Sequence, residues 1–181
     1  MKRIIITTVI LLLFGFGTNA QDKKITKTGK IIFEASVPSF EEVKAKNEVV
    51  TCILNIKTGE IASLALMKGF RFKIALMEEH FNENYIESDK YPKATFKGII
   101  EGFNWNIIGT SPKEFKMKGK LELHGKSKEI ATNVILRKVD DGLEIISAFS
   151  VNPNDFNIKI PKIVSNKVAK TVNIKTEFLV K

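Results

Sequence analysis

Two histidines, His80 and His124, and a single cysteine, Cys52, are the side chains best suited to catalysis or metal binding in this 181-residue chain. A metal centre needs about three or four converging ligands. The histidines fall on different elements, and neither belongs to an H-x-x-x-H or C-x-x-C spacing. No metal site is expected. A Ser-His-Asp triad is assembled in space rather than along the chain, so spacing does not test it. The G-x-S-x-G turn that exposes a nucleophilic serine is missing. The glycines form neither G-x-G-x-x-G nor a P-loop, the patterns that cradle phosphates. Glu41-Glu42, Glu78-Glu79 and Asp140-Asp141 are adjacent carboxylates. General acid–base work needs such groups in a pocket that separates their pKa values, whereas these fall in turns or on a helix face, where water solvates them. Cys52 sits between Val50 and Leu54 in an apolar alternation and reads as a small buried hydrophobe. One cysteine makes no intrachain disulfide, so the core alone must hold the fold. No catalytic residue and no cofactor is assigned.

The elements that position these residues alternate with period two. Phe115, Met117, Gly119, Leu121 and Leu123 share one face, and Lys116, Lys118, Lys120 and Glu122 the other. Such alternation marks a strand with one dry and one wet face. Ile130, Thr132, Val134 and Leu136 repeat it after a turn at 124–128, as do Val172, Ile174, Phe178 and Val180 near the C-terminus. Further strands are expected at 31–36, 49–57, 60–74 with a bend near Gly69, 95–104 and 143–151. Lys57-Thr58-Gly59-Glu60 and Asp140-Asp141-Gly142 have hairpin chemistry. Eight strands on short connections favour an up-and-down barrel or a sandwich. Eight strands closed into a barrel leave room for one small ligand. Two segments break the rhythm. Met77, Phe81 and Tyr85 recur at four-residue spacing, predicting a helix over 76–88 that ends before Tyr91-Pro92. Residues 161–169 suit a further helical turn. Helical pieces at a barrel's ends act as lids, plugs or plain connections.

The N-terminus reads as a secretory leader over residues 1–20. Lys2 and Arg3 precede an apolar run from Ile4 to Phe16, and Thr18-Asn19-Ala20 supplies a cleavage site. The run is short of the roughly 20 apolar residues a membrane span needs. A soluble exported domain over 21–181, periplasmic or secreted, is the expectation. Setting Lys2 and Arg3 aside leaves 27 basic residues against 20 acidic ones, a net charge of +7. The lysines are spread along the chain rather than clustered, which argues against nucleic acid. They suit a transient, weak attraction to an anionic membrane surface, with solubility alone as the plainer use. Nothing here sets the oligomeric state, and a dimer is compatible with the sequence.

Several stretches together carry a resemblance. His80-Phe81-Asn82-Glu83-Asn84-Tyr85-Ile86 runs on to Lys90-Tyr91-Pro92-Lys93-Ala94-Thr95-Phe96-Lys97-Gly98. Gly119-Lys120-Leu121-Glu122-Leu123-His124-Gly125-Lys126-Ser127-Lys128 follows, and then Asn154-Asp155-Phe156-Asn157-Ile158. In that order they resemble the YceI-like family of bacterial polyisoprenoid-binding proteins, over about residues 29–181. The resemblance implies an all-β, eight-stranded antiparallel lipocalin-like barrel with one or two short helical segments. It also implies export, no catalytic residues, and an interior pocket for a long isoprenoid or similar lipid. Tyr91-Pro92 would fix the start of a strand, Gly119 would keep space beside the pocket or ease curvature, and Gly125 would permit a turn. His80 would make a structural hydrogen bond or cap the pocket. The first strand departs from the family pattern, since Ile25-Thr26-Lys27-Thr28-Gly29-Lys30-Ile31 lacks the aspartate and histidine-serine that open many members.

With the resemblance, the 13 phenylalanines, two of them in the leader, gain a use beyond packing. Phe70, Phe72, Phe81, Phe96, Phe115, Met117, Leu121, Val134 and Phe178 are the expected ligand-binding residues, each on an inferred inward face. The expected function is a binding protein holding a polyisoprenoid, quinone-like or fatty-acyl lipid for transport, storage or envelope stress response. The alternative is a filled barrel serving as an interaction or stress module with no lipid ligand. Alternation does not separate the two, because a solid core and a greasy tunnel both need apolar inward faces.

Overall fold

The computed structural model describes residues 22–181. The expected leader, residues 1–20, lies outside the described residues. The alternating segments form nine strands: β1 (Lys23–Glu34), β2 (Lys44–Asn55), β3 (Glu60–Leu66), β4 (Arg71–Phe72), β5 (Lys93–Ile100), β6 (Lys113–Leu123), β7 (Lys126–Val139), β8 (Gly142–Val151) and β9 (Val172–Val180). Eight of them close a ring, β1-β2-β3-β5-β6-β7-β8-β9, each antiparallel to its neighbours, with β9 returning to β1. Two-residue β4 carries on from β3 along the edge of β2, pairing Phe72 with Ala45. The structure is therefore a closed eight-stranded antiparallel barrel with one short helix, as the sequence led us to expect. Closure leaves no strand edge to aggregate.

The bend expected near Gly69 is a 3-10 turn over Met67–Gly69. Its cause is Asn47, which is completely buried. The Asn47 amide donates to the Leu66 carbonyl at 2.9 Å and its oxygen accepts from the Val49 N–H at 3.0 Å. A side chain at Gly69 would strike that amide, 2.6 Å from the position of its Cβ. The helix is α1 (Ala75–His80), which widens through Phe81–Tyr85, where the Ile86 N–H reaches back to the Phe81 carbonyl at 2.9 Å.

Strand β1 starts at Lys23 rather than residue 31, and β2 at Lys44 rather than 49. The early half of β1 lacks apolar alternation because the wall there is thin, and that of β2 because buried Asn47 interrupts it. The Phe178 ring lies against Gly29, where a Cβ would come within 2.9 Å of its Cε1 and of the Val50 carbonyl. Pairing between β1 and β2 is irregular on either side of Gly29, as expected where a large ring is admitted beside the strand.

The two ends of the barrel differ. At one end the β2–β3 and β7–β8 hairpins meet the β5–β6 connection, and the Ile100 N–H bonds the Gly59 carbonyl at 2.9 Å. Leu54, Ile100, Ile108, Leu136, Leu143 and Val180 are buried and fill that end. At the other end lie α1, the β1–β2 connection and the long β8–β9 connection. The short helical turn expected in that last connection is a 3-10 turn at Lys162–Val164.

Candidate functional site

Above the filled end the interior opens into a cavity of about 640 Å³. Its walls are strands, and its mouth is framed by α1, by Phe40 and Glu41, and by Val164, Lys167 and Val168 of the β8–β9 connection. The lining is overwhelmingly apolar. Ser147 and Thr176 are the buried hydroxyls of the wall, and they satisfy each other at 2.8 Å. Ser63 on β3 and Thr95 on β5 add two part-buried hydroxyls to the wall, and Glu41, His80 and Lys167 belong to the mouth segments. A guest in this space meets mostly hydrocarbon along its length, with a few wall hydroxyls, and charged groups at one end.

Of the nine ligand-binding residues expected from sequence, Phe70, Phe72, Phe81, Phe96, Met117, Leu121 and Phe178 line the cavity. Phe115 and Val134 do not. They pair across β6 and β7, one step nearer the filled end than Met117. Val134 is completely buried in the core, while Phe115 is half-buried with the Lys113 ammonium 5.7 Å above its ring. The cavity floor lies between Met117 and this pair.

A cluster of phenylalanines fastens the helix to the rim. Phe33 on β1 stacks on Phe81 at 5.3 Å and meets Phe70 and Phe72 at 5.5 Å, and Phe72 lies 5.1 Å from Phe81. Aromatic pairs at such distances contribute about 0.5–1.5 kcal/mol each beyond burial. Across the cavity, Gly98 and Gly119 sit directly opposite each other on β5 and β6. The end of the Phe96 ring occupies the notch they leave, 2.8 and 2.6 Å from where their Cβ atoms would be. Gly119 thus makes room for a ring that would otherwise swing into the cavity. Phe33, Phe149 and Ile174 also line the space and were missed as ligand candidates. Their inward positions were legible in the alternation of β1, β8 and β9.

The titratable groups with chemical potential are tied down or scattered. The His124 ring is buried, with Nδ1 2.9 Å from the Phe156 carbonyl and Nε2 2.9 Å from a Glu87 carboxylate oxygen. A carbonyl and a carboxylate both only accept, so both bonds form at once when each ring nitrogen carries a proton. The Tyr91 ring packs on His124 at 4.3 Å. His124 and Gly125 make a two-residue hairpin turn, with φ of 51° and 70°, the primed geometry that matches strand twist. His80 stands apart, on the lining near the mouth. Cys52 is fully buried, and burial pushes its thiol up to about 12 from 9.0. Among the described residues no group of three His, Cys, Asp or Glu side chains is placed to hold a metal ion.

The motif stretches therefore converge in space: Tyr91 from the first, His124 and Gly125 from the second, and Phe156 from the third meet in one knot at the open end, which Glu87, just outside the first stretch, completes. The family model of the YceI-like domain matches residues 23–179. The chain belongs to the YceI-like family. Its barrel superposes on solved members at low sequence identity. A polyisoprenoid binding domain from Saccharophagus degradans, implicated in plant cell wall breakdown, matches with a TM-score of 0.77 at 13% identity, covering 88% of this chain and 98% of that one. Burkholderia cenocepacia BcnA matches at 0.68 and 16% identity, over 84% of this chain and 96% of its own. A Campylobacter jejuni YceI protein matches at 0.59 and 16% identity, over 80% and 89%. At such identities these likenesses speak for the fold. No curated protein sequence matches the chain. In this YceI-like chain the first-strand departure noted in the sequence falls in the early half of β1, beside the Phe178 ring and away from the mouth.

Proposed function

We propose that this YceI-like protein is an exported, non-catalytic carrier that holds one long apolar lipid, a polyisoprenoid, quinone-like or fatty-acyl chain, inside the barrel. The observation that carries the reading is the cavity of about 640 Å³ with apolar walls and a mouth at one end. It falls in the range of pockets that enclose small molecules. Each buried methylene contributes about 0.8 kcal/mol, so about a dozen seated carbons supply roughly 10 kcal/mol before ordering costs. No directional anchor deep in the wall is required for that. The polar end of the guest would sit at the mouth. The family membership and the polyisoprenoid binding domain among the solved relatives support the same class of guest. The charged leader sequence supports export to the periplasm or beyond.

Native mass spectrometry of protein recovered from the exported fraction, without detergent, tests this. A discrete added mass that is lost on organic extraction is the expected result, and fragmentation identifies the guest. A bare-chain mass that persists after incubation with isoprenoid and fatty-acyl lipids would refute carriage.

A further inference from the structure

The later part of the β8–β9 connection, residues 157–171, crosses the mouth as a strap. It is tied at its start by the Ile158 N–H to the Pro153 carbonyl at 3.0 Å, and near its end by the Ala169 N–H to the Ala35 carbonyl at 2.8 Å. Its two sides differ. Ile160, Val164 and Val168, four residues apart, line the cavity. Ile163 points the other way and is 85% exposed, the most exposed large apolar side chain among the described residues. Phe40 and Leu76, which share the mouth, are 43% and 56% exposed. Apolar surface therefore runs continuously from the cavity out over its rim.

The charge on this strap is one-sided. Its fifteen residues hold Lys159, Lys162, Lys167 and Lys170 and no acidic residue. Among the described residues none of these four lysines is in an ion pair, whereas their flanking neighbours are paired: Lys175 meets Glu177 at 2.7 Å and Lys128 meets Asp155 at 3.1 Å. On the outer wall, among the described residues, some lysines are paired, as Lys118 is with Glu101 at 2.7 Å, and others, such as Lys97, Lys116 and Lys120, are not; the strap is set apart by combining four lysines, no carboxylate and an exposed isoleucine in fifteen residues. An exposed isoleucine flanked by unpaired lysines, with two further apolar side chains at the same rim, suits a surface that is greasy beneath and negative above.

We infer that the mouth face of the barrel, led by residues 157–171, docks reversibly on an anionic lipid bilayer, with Ile163 entering the headgroup layer and the lysines lying against it. Docking rests on the strap alone; its use as a route for loading or delivering a guest rests on the carriage reading above. Lysines near an anionic surface act within a Debye length of about 8–10 Å, and one small apolar anchor plus a basic patch gives marginal, reversible binding rather than insertion. That is the strength a shuttling protein needs.

Co-sedimentation of the exported protein with vesicles tests the inference. The vesicles are phosphatidylcholine alone, or phosphatidylcholine with about a third phosphatidylglycerol. The expected result is binding to the anionic vesicles only, lost as salt rises. Each Lys→Gln on the strap lowers partitioning about fivefold, so Lys159→Gln/Lys162→Gln/Lys170→Gln together lower it about a hundredfold. The charge-matched triple Lys97→Gln/Lys116→Gln/Lys120→Gln, on the outer wall, changes it by less than about threefold, since these lysines lie beyond the contact. Ile163→Ser weakens binding several-fold at unchanged charge. Equal losses from the two triples would reduce the effect to net charge and overturn the docking face. Indifference to anionic vesicles overturns it as well, and a dimer broken by Ile163→Ser would then assign the face to a second copy of the chain. The native mass spectrum separates the two proposals. Docking without any bound lipid leaves the face standing and removes carriage, and bound lipid without docking does the reverse.

Discussion

Replacing His124 with asparagine sets two physical effects against each other. At φ 51° a histidine is held in the left-handed region, where asparagine is more at ease by something under about 1 kcal/mol. Judged by the turn alone, His124→Asn stabilises. The ring, however, reaches two partners that asparagine is too short to join. Its bond to Glu87, whose side chain is 46% exposed, is worth roughly 1 kcal/mol after solvent screening. Its bond to Phe156 serves a residue that is completely buried, and leaving that carbonyl without a donor costs about 1–3 kcal/mol. The Tyr91 ring also loses the partner it packs on at 4.3 Å. The balance is a net loss of roughly 2 kcal/mol, or about 4–8 °C in melting temperature for a domain of this size. Urea unfolding followed by circular dichroism measures it, with an unchanged m-value showing that the same surface unfolds. A double-mutant cycle with Glu87→Gln returns the share of the loss that belongs to that pair. A variant as stable as the parent, or more so, would mean that the turn governs this site and that the knot of motif residues adds nothing.

Three further outcomes follow from the interior. Gly119→Val presses its Cβ on the Phe96 ring, 2.6 Å away, and on the β5 backbone at the Lys97 carbonyl and the Gly98 Cα; the ring is displaced into the cavity and the β5–β6 ladder is strained, so binding of a fluorescent polyene lipid falls at least tenfold and the urea midpoint falls with it, and lipid binding equal to the parent's would show that the ring does not depend on the notch. Thr176→Val alone strands the Ser147 hydroxyl and costs about 1–3 kcal/mol, whereas adding Ser147→Ala restores most of it, read by urea unfolding, with lipid binding kept or strengthened in the double variant. The Cys52 thiol, held near 12 in the fold against 9.0, stays protonated and unlabelled by a thiol reagent at pH 8 until the barrel unfolds. The unfolded chain releases that proton first, so stability declines from pH 9.0 up to about 12 by as much as 1.4 kcal/mol per pH unit. Cys52→Ala removes that component of the alkaline decline, and an identical slope in the variant would show that other groups set it.

Much of the barrel was legible because its walls obey one rule. The alternation of Phe115 through Leu123 named both faces of β6, and the Met77, Phe81 and Tyr85 stripe located the helix that frames the mouth. The rule fails where a wall is thin. Thr26 and Gly29 on β1 carry no apolar signal, because the inward space at Gly29 is already taken by Phe178, contributed by β9 from the far end of the sequence. Asn47 fell outside the strand expected at 49–57, yet it is buried and serves the backbone break between β3 and β4. The depth of the cavity was hidden for a different reason. Met117 and Phe115 are alike in type and lie on the same face of one strand, and only the packing of the β5–β6 connection against the far end decides which of them meets open space.

The His124 knot bears on how sequence recognition of this family works. Tyr91, His124, Gly125 and the backbone of Phe156, all from the stretches that make the chain recognisable, are joined to one another and, with Glu87, build the frame of the open end. Other residues of the same stretches, Phe81, Phe96 and Leu121 among them, line the cavity, and Phe33, Phe149 and Ile174 line it from outside those stretches. Frame and lining can then diverge at different rates: substitutions along the wall alter which molecule fits without loosening the knot, while a change in the knot is felt by every guest alike. The signature of this chain thus encodes both how the mouth is held open and one part of the wall, while the part on β1, β8 and β9 lies outside it and is free to change.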